Sequence, residues 1–406
     1  MKVTLVNHSD TLGGASVVTY RLMEALRQHG VDARMIVVRK ATADTGVALA
    51  GQMLTRKACF IAEHARIFAA TGFSRENLFK ISIATDGLAL SRHQWIQDAD
   101  AVLLNWVNQG MLSLDEIERI AFLKPVVWTM HDMWCMTGVC HHAESCTNYI
   151  HECGNCPLIK NGRNAGDLSH TTWKRKKKLY TSASIHFVAV SNWLAEKCAC
   201  SSLLSAARVS VIPNAFPVGA FSPVSERSSA IKRIVMGAAR LDDPIKDLPL
   251  AVASLNQVAE RYEGNAEAVF FGEIRNPEYL KELRLPFRHI GTVNGSNALA
   301  ALYRDAKVVL STSRYETLPG TIVEGMASGC VAVATGNGGQ RDIIDHMHTG
   351  YIADLGTPED VANGIMWALD ADIDPYRQHQ AIAARFSSDC VAQKYIELIN
   401  KLIRHD

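Results

Sequence analysis

Short, largely apolar runs alternate with longer stretches of helical length along the chain. In the first half, Val3–Val6, Arg34–Val38, Ala101–Leu104, Pro125–Trp128 and Ile185–Val190 show no sustained polar alternation, the pattern of strands buried on both faces of a parallel sheet. The second half repeats it with Ile234–Gly237, Ala268–Gly272, Lys307–Leu310 and Cys330–Ala334. Two βαβ series in succession predict an α/β chain of two doubly wound domains, each with ligand sites at the carboxyl ends of its strands. The join is expected near Val211-Ile212-Pro213-Asn214-Ala215-Phe216-Pro217 and the polar stretch that runs on to Arg227, because prolines and serines suit an exposed connector. This sets one domain at 1–216 and the other at 224–388. From Asp389 on, Val391, Tyr395, Leu398, Ile399, Leu402 and Ile403 recur at three- and four-residue spacing, which predicts an amphipathic helix over 389–406.

Composition narrows the class. With 48% hydrophobic and 20% charged residues over 406 positions, the chain is neither disordered nor collagen-like. A formal charge of +1 removes the global basic excess of a nucleic-acid binder, so no nucleic-acid partner is expected. No apolar run approaches the ~20 residues of a membrane span, and the opening Met1–Val6 reads as a strand, which predicts a cytoplasmic protein. Five of the ten cysteines fall between Cys135 and Cys156. Cys140, Cys146, Cys153 and Cys156 have the spacing C-x5-C-x6-C-x2-C, which four thiolates could close into a tetrahedral zinc site, with His141, His142 and His151 as substitutes. A single C-x2-C leaves reduced thiols or a disulfide pair equally open, and Cys135 is read as a bystander. Lys174, Arg175, Lys176, Lys177 and Lys178 follow one another between Trp173 and Tyr180. Such a run is most often a solvated helix face, and the alternative is contact with anionic lipid at roughly 1 kcal/mol per charge.

The densest candidate chemistry is Ser311–Gly329. It leaves a buried strand, turns through Pro319-Gly320 and enters a helix at Thr321, whose first turn offers backbone N–H groups to an anion. Glu316 in the loop and Glu324 in the helix can both face the ligand edge, where carboxylate oxygens suit sugar hydroxyls; alone, the pair is as easily a solvated loop and a favourable helix start. Arg240 and Lys246 follow the first strand of the second half, a planar fork and a compact charge able to hold a diphosphate. Gly336-Asn337-Gly338-Gly339 follows another strand, as turn punctuation or as room for a ligand. In the first half, Gly13-Gly14 lies between the first strand and first helix, a backbone cradle that does not fit the G-x-G-x-x-G dinucleotide fingerprint. His131 follows the strand at Pro125–Thr129, at a sheet's carboxyl edge. Asp98-Ala99-Asp100 superficially matches a metal-binding D-x-D, but it immediately precedes a strand and is read as solvation of the strand start; no metal site is assigned.

Together these pieces resemble the retaining glycosyltransferases of the GT-B architecture, in particular family four, the glycosyl transferases group 1 set. The resemblance rests on Glu316-x7-Glu324 with Gly325-Met326-Ala327-Ser328-Gly329, on the Arg240…Lys246 loop and on Pro213-Asn214. Trp128–Trp134, Thr137-Gly138, Cys140 and Cys153–Pro157 are similar to a subset that assembles exopolysaccharides, including colanic-acid-type transferases. Asp247 departs from the pattern, since relatives often carry Gly after the lysine, and so does Leu318-Pro319. The resemblance implies two Rossmann-like domains facing a cleft, the C-terminal helix packing back across their boundary, and closure on ligand binding. It implies transfer of a hexose, with retention, from a UDP- or GDP-sugar to a lipid-linked oligosaccharide at the inner face of the membrane, with no cofactor and no metal. Arg240 and Lys246 would bind the diphosphate, Glu316 the donor sugar and Glu324 the ribose, with Gly320 and Thr321 at the helix start beside them. His131 would touch the donor sugar, and Gly13 and Gly14 would shape the loop facing donor phosphates and acceptor. A nucleotide-sugar epimerase uses the same architecture, though Glu316…Glu324 argues against it, and a non-catalytic nucleotide-sugar-binding assembly subunit is the non-enzymatic alternative.

Overall fold

The apolar runs become the central strands of two parallel sheets. The computed structural model describes residues 1–224 and 230–405; Ser225, Glu226 and Arg227 of the expected connector lie outside the described residues. The first sheet comprises β1 (Lys2–Ser9), β2 (Asp32–Arg39), β3 (Val47–Leu49), β4 (Ala101–Leu104), β5 (Val126–Met130), β6 (Ile185–Ala189) and β7 (Arg208–Val211), in the order β3-β2-β1-β4-β5-β6-β7. The second comprises β8 (Lys232–Arg240), β9 (Ala266–Glu273), β10 (Phe287–His289), β11 (Ala306–Ser311), β12 (Val331–Thr335) and β13 (Gly350–Ala353), in the order β10-β9-β8-β11-β12-β13. Every strand pair in both sheets is parallel. Each sheet grows outward in both directions from its first strand, so the strand order reverses between β1 and β4 and between β8 and β11. Those two reversal points are where a doubly wound sheet opens a crevice at its carboxyl edge.

Burial explains why the central strands were legible. Every residue of β4, β5 and β12 is buried, as expected where helices cover both faces. In the second sheet Ile234, Phe270, Val308 and Val333 share one core with Leu255 and Ile365 of the helices Leu248–Arg261 and Pro358–Asp370. The second of these helices starts on Pro358, with Glu359 and Asp360 in its first turn, where a missing N–H costs nothing and acidic charge meets the positive helix end.

The chain divides into two units, one formed by Met1–Asn214 with the chain from Ala392 on, the other by Ala215–Val391. The last helix, Ser388–His405, thus begins in the second unit and continues into the first. There Tyr395 is buried with its hydroxyl 2.8 Å from Thr129 Oγ1 on β5. Ile399 of the same unit is buried too, whereas Ile403 is exposed. Among the described residues no helix is long and apolar enough to cross a membrane.

Candidate functional site

In the second unit the reversal point gathers three loops. β8 ends at Arg240 and leads through a short turn, Pro244–Lys246, into the helix Leu248–Arg261. The loop after β11 is tied to that turn: Arg314 N–H donates to Ile245 O at 2.8 Å, and Thr312 Oγ1 donates to Lys246 O at 2.9 Å. The side chains meet as well. Lys246 Nζ pairs with Glu316 Oε1, and Ser313 Oγ donates to the same oxygen at 3.1 Å. Both side chains of the pair keep partial solvent contact, 28% for the lysine and 20% for the glutamate, so an incoming anion or hydroxyl can reach them. Arg240 is held by Asp243 at 3.2 Å and lies near Asp242 at 3.5 Å. Asp243 also caps the turn by accepting from Ile245 N–H at 3.1 Å.

The third loop follows β12. Gly339 N–H donates to Glu316 O at 2.9 Å, and Gly338 sits at φ +148°. A Cβ there would lie 2.2 Å from Glu316 O. The glycine is therefore required by the backbone of the Glu316 loop, a reason its sequence context did not distinguish from turn punctuation. Gly320 and Thr321 open the helix Gly320–Ala327, whose N-cap is Pro319 with no side-chain cap. Glu324 lies deeper in the same helix, buried at 7% exposure, and its charge reaches the buried Tyr303 phenol, which burial, first of all, has already pushed up. Glu316 and Glu324 thus occupy different environments, one facing solvent and paired with a cation, the other enclosed.

Asp247 stands at φ 50°, ψ 52°, the left-handed region that glycine adopts without strain and other residues enter at about 1–2 kcal/mol. Its carboxylate accepts from Arg314 Nε at 2.9 Å, an anchor that glycine would lack. Asp247→Ala keeps the strain and loses the anchor to the largely exposed Arg314, and is expected to lower stability by about 1 kcal/mol or less. Asp247→Gly should lie closer to the parent, and urea denaturation of the two variants checks the order.

The first unit has its own carboxyl edge. Gly13, at φ 90°, caps the helix Gly14–Gln28 with no side-chain cap bond, and Cβ atoms at Gly13 or Gly14 would meet nothing within 4 Å. The loop is open at that point. His131 follows β5 directly, with Nε2 3.0 Å from Asn105 Oδ1 at the end of β4. Burial pushes its pKa down to about 4, so the ring is neutral at physiological pH. Beside it stands Asp132, which sequence reasoning passed over. Its carboxylate accepts from His141 Nδ1 at 2.7 Å, Trp106 Nε1 at 2.9 Å and Trp134 N–H at 2.8 Å. Burial alone would raise the Asp132 carboxyl, but the neighbouring His141 and His142 charges and these bonds hold it well below the usual range. Asp10 was missed too: it is fully buried after β1 and accepts from Ala41 N–H, Thr42 N–H and Thr42 Oγ1. The available signal for both was position, each being an acid within a few residues after a predicted strand.

The basic run is not one face. In the helix Leu168–Ser182, Lys174, Lys177 and Lys178 are exposed, Arg175 pairs with Asp115 at 3.2 Å, and Lys176 is fully buried. A period of 3.6 residues cannot turn five consecutive side chains to one side, so Lys176 cannot join a lipid contact. Asp98 and Asp100 lie at the amino end of β4, away from the ligand edge, where Asp100 accepts from Lys2 N–H at 2.7 Å. His141, offered as a zinc substitute, bonds Asp132 through Nδ1 and does not line the cavity shared by Cys140, Cys146, Cys153 and Cys156.

Two Rossmann-like parallel-sheet units, one with a cation and carboxylate cluster at its reversal point, define a GT-B-type glycosyltransferase architecture. Residues 12–218 match Glycosyltransferase Family 4 and residues 232–371 match Glycosyl transferases group 1, so the chain belongs to glycosyltransferase family 4. It is 30% identical over 156 residues to the uncharacterized glycosyltransferase MJ1607 of Methanocaldococcus jannaschii, a match spanning 37% of this chain and 38% of that protein. Among solved structures it is similar to Anabaena HepE in complex with UDP and glucose, with a TM-score of 0.62 and 16% identity over 99% of this chain and 100% of that one. It is also similar to sucrose-phosphate synthase from Thermosynechococcus elongatus, with a TM-score of 0.65 and 16% identity over the whole of both chains. A glycosyltransferase from Rickettsia africae matches with a TM-score of 0.64 and 14% identity over 100% of this chain and 99% of that one.

Proposed function

We propose that this chain transfers a hexose, with retention, from a UDP- or GDP-sugar to a lipid-linked oligosaccharide in surface polysaccharide assembly. The observation that carries the reading is the Lys246–Glu316 pair at the reversal point of the second sheet, with Arg240 at the end of β8 just ahead of the same turn. Both cations are balanced by carboxylates, and a diphosphate can exchange for them. As the phosphates take Lys246 and Arg240, Glu316 is released to accept from sugar hydroxyls. Departure of the nucleoside diphosphate concentrates charge on phosphate oxygens, which these cations and the start of the helix Gly320–Ala327 stabilise. The leaving phosphate then helps deprotonate the acceptor on the same face, with no covalent sugar–enzyme intermediate. Glu324 is assigned to the ribose, His131 to the donor sugar, and Gly13 and Gly14 to the loop that faces donor phosphates and acceptor. Solved relatives with UDP, UDP-glucose or glucose in their complexes support a nucleotide-sugar donor.

Incubating the purified chain with a panel of UDP- and GDP-hexoses tests the reading. Release of nucleoside diphosphate from one donor, transfer to a lipid-linked acceptor with the donor's anomeric configuration, and persistence after EDTA treatment are expected. Epimerised donor, binding without turnover, or activity lost to chelation and restored by manganese alone would each overturn it.

A further inference from the structure

We propose that Cys140, Cys146, Cys153 and Cys156 of the first unit hold a structural zinc ion. All four line one cavity of about 20 Å³, shared with Thr137, Tyr149 and Ser169, a space on the scale of a single water or ion. Cys135 lies outside it. Among the described residues no three His, Cys, Asp or Glu side chains stand in positions that could hold a metal ion, so the proposal requires the cysteine side chains to turn inward about χ1 when the ion binds. The backbone is arranged for that outcome. Gly138 N–H donates to Cys153 Sγ at 3.1 Å, and an amide directed at sulfur stabilises thiolate over thiol. Asn155, inside the C-x2-C, takes a left-handed φ of 48°, which folds the two cysteines into one turn.

Two further features call for such an ion. Between Thr137 and Asp167 the only regular element is the single turn Asn148–Ile150, so this long segment has almost no backbone ladder of its own, and a cross-link would supply the missing constraint. Lys176 is the second. Its ammonium is fully buried, donates to Trp134 O and to Thr137 O at 3.1 Å, and stands 3.3 Å from the centre of the Trp134 ring. Burial disfavours its charge, and Cys135, Cys153, Cys140 and Asp132 act on it electrostatically in the opposite sense, so further negative charge beside it would be accommodated. When Zn²⁺ binds, four S–H bonds break, four Zn–S bonds form and four protons leave to solvent. The complex carries a net charge of −2, which places more negative charge beside Lys176.

Elemental analysis of protein purified without chelator or a metal-affinity tag should find about one zinc per chain. Replacement by cobalt should produce thiolate-to-cobalt charge-transfer absorption. Cys146→Ser, at one of the two half-exposed members of the set, should weaken metal binding at least about ten-fold, whereas Cys59→Ser and Cys390→Ser, outside the cavity, should leave it unchanged. Should Cys146→Ser fail to fold, alkylation of the parent decides: the four thiols should react only after chelation. Folded protein that holds no zinc and gives no cobalt–thiolate absorption, a disulfide among the four by mass spectrometry, or thiol protection indifferent to chelator overturns the proposal. These readouts are independent of glycosyl transfer.

Discussion

Replacing Lys246 or Arg240 by alanine is expected to lower kcat by roughly 10²–10³ while leaving the melting temperature nearly unchanged. The first half of that expectation follows from where charge develops. In the proposed reaction, negative charge grows on the leaving diphosphate, and a cation fixed beside it needs no reorganisation to meet it. Lys246 is fixed by its pair with Glu316, and Arg240 by Asp243. The second half follows from exposure. The Lys246–Glu316 pair is partly solvated, and such pairs contribute about 1 kcal/mol or less to folding. Loss of turnover with retained stability therefore separates a leaving-group role from a structural one. Glu316→Gln adds a directional check: it removes the carboxylate that competes with phosphate, so nucleoside diphosphate should bind at least as well while transfer falls. Wild-type turnover in both alanine variants would sink the assignment.

How far the sequence carried this reading depends on what each element buries. β4, β5 and β12 are enclosed on both faces and show as unbroken apolar runs. β3, β7, β10 and β13 escaped notice because they are short and at least partly exposed, β10 at each of its three residues; an edge strand needs no apolar run. Candidate site residues were legible where several loops followed recognisable strands, as with Arg240, Lys246 and Glu316. Their pairing was not, since Lys246 and Glu316 are 70 positions apart and meet only because β8 and β11 are neighbours in the sheet. Asp132 was invisible for a different reason. A single acid carries no motif, and its three donors come from Trp106, Trp134 and His141, which only the folded loops bring together. Lys176 shows the opposite failure, a charge whose neighbours in sequence implied a surface when the helix turns it into the core.

Stability should fall steeply between about pH 6.5 and pH 4, and His8 and His131 set that window. Burial, assisted by the Arg39 charge, lowers His8 from 6.5 to about 4, and burial lowers His131 by the same amount. Above 6.5 both rings are neutral whether the chain is folded or not, and their contribution is complete. Below it the unfolded chain binds protons that the folded chain refuses, so unfolding is favoured progressively until the folded rings titrate near 4. A shift of this size corresponds to about 3 kcal/mol per histidine at most, of which about 2 kcal/mol is gone by pH 5. Set against a total of roughly 5–15 kcal/mol for a folded protein, two such groups are a large share. Burial lowers His93 and His186 as well, with the same sign. Asp132 does not contribute in this range: it is ionised in both states until the pH approaches its ordinary value of 3.8. His131→Asn keeps a polar group beside Asn105 and removes one titration. Urea denaturation at pH 7 and pH 5 should therefore show a smaller loss of stability on acidification in the variant than in the parent. Equal losses in the two proteins would show that His131 is not held neutral by the fold.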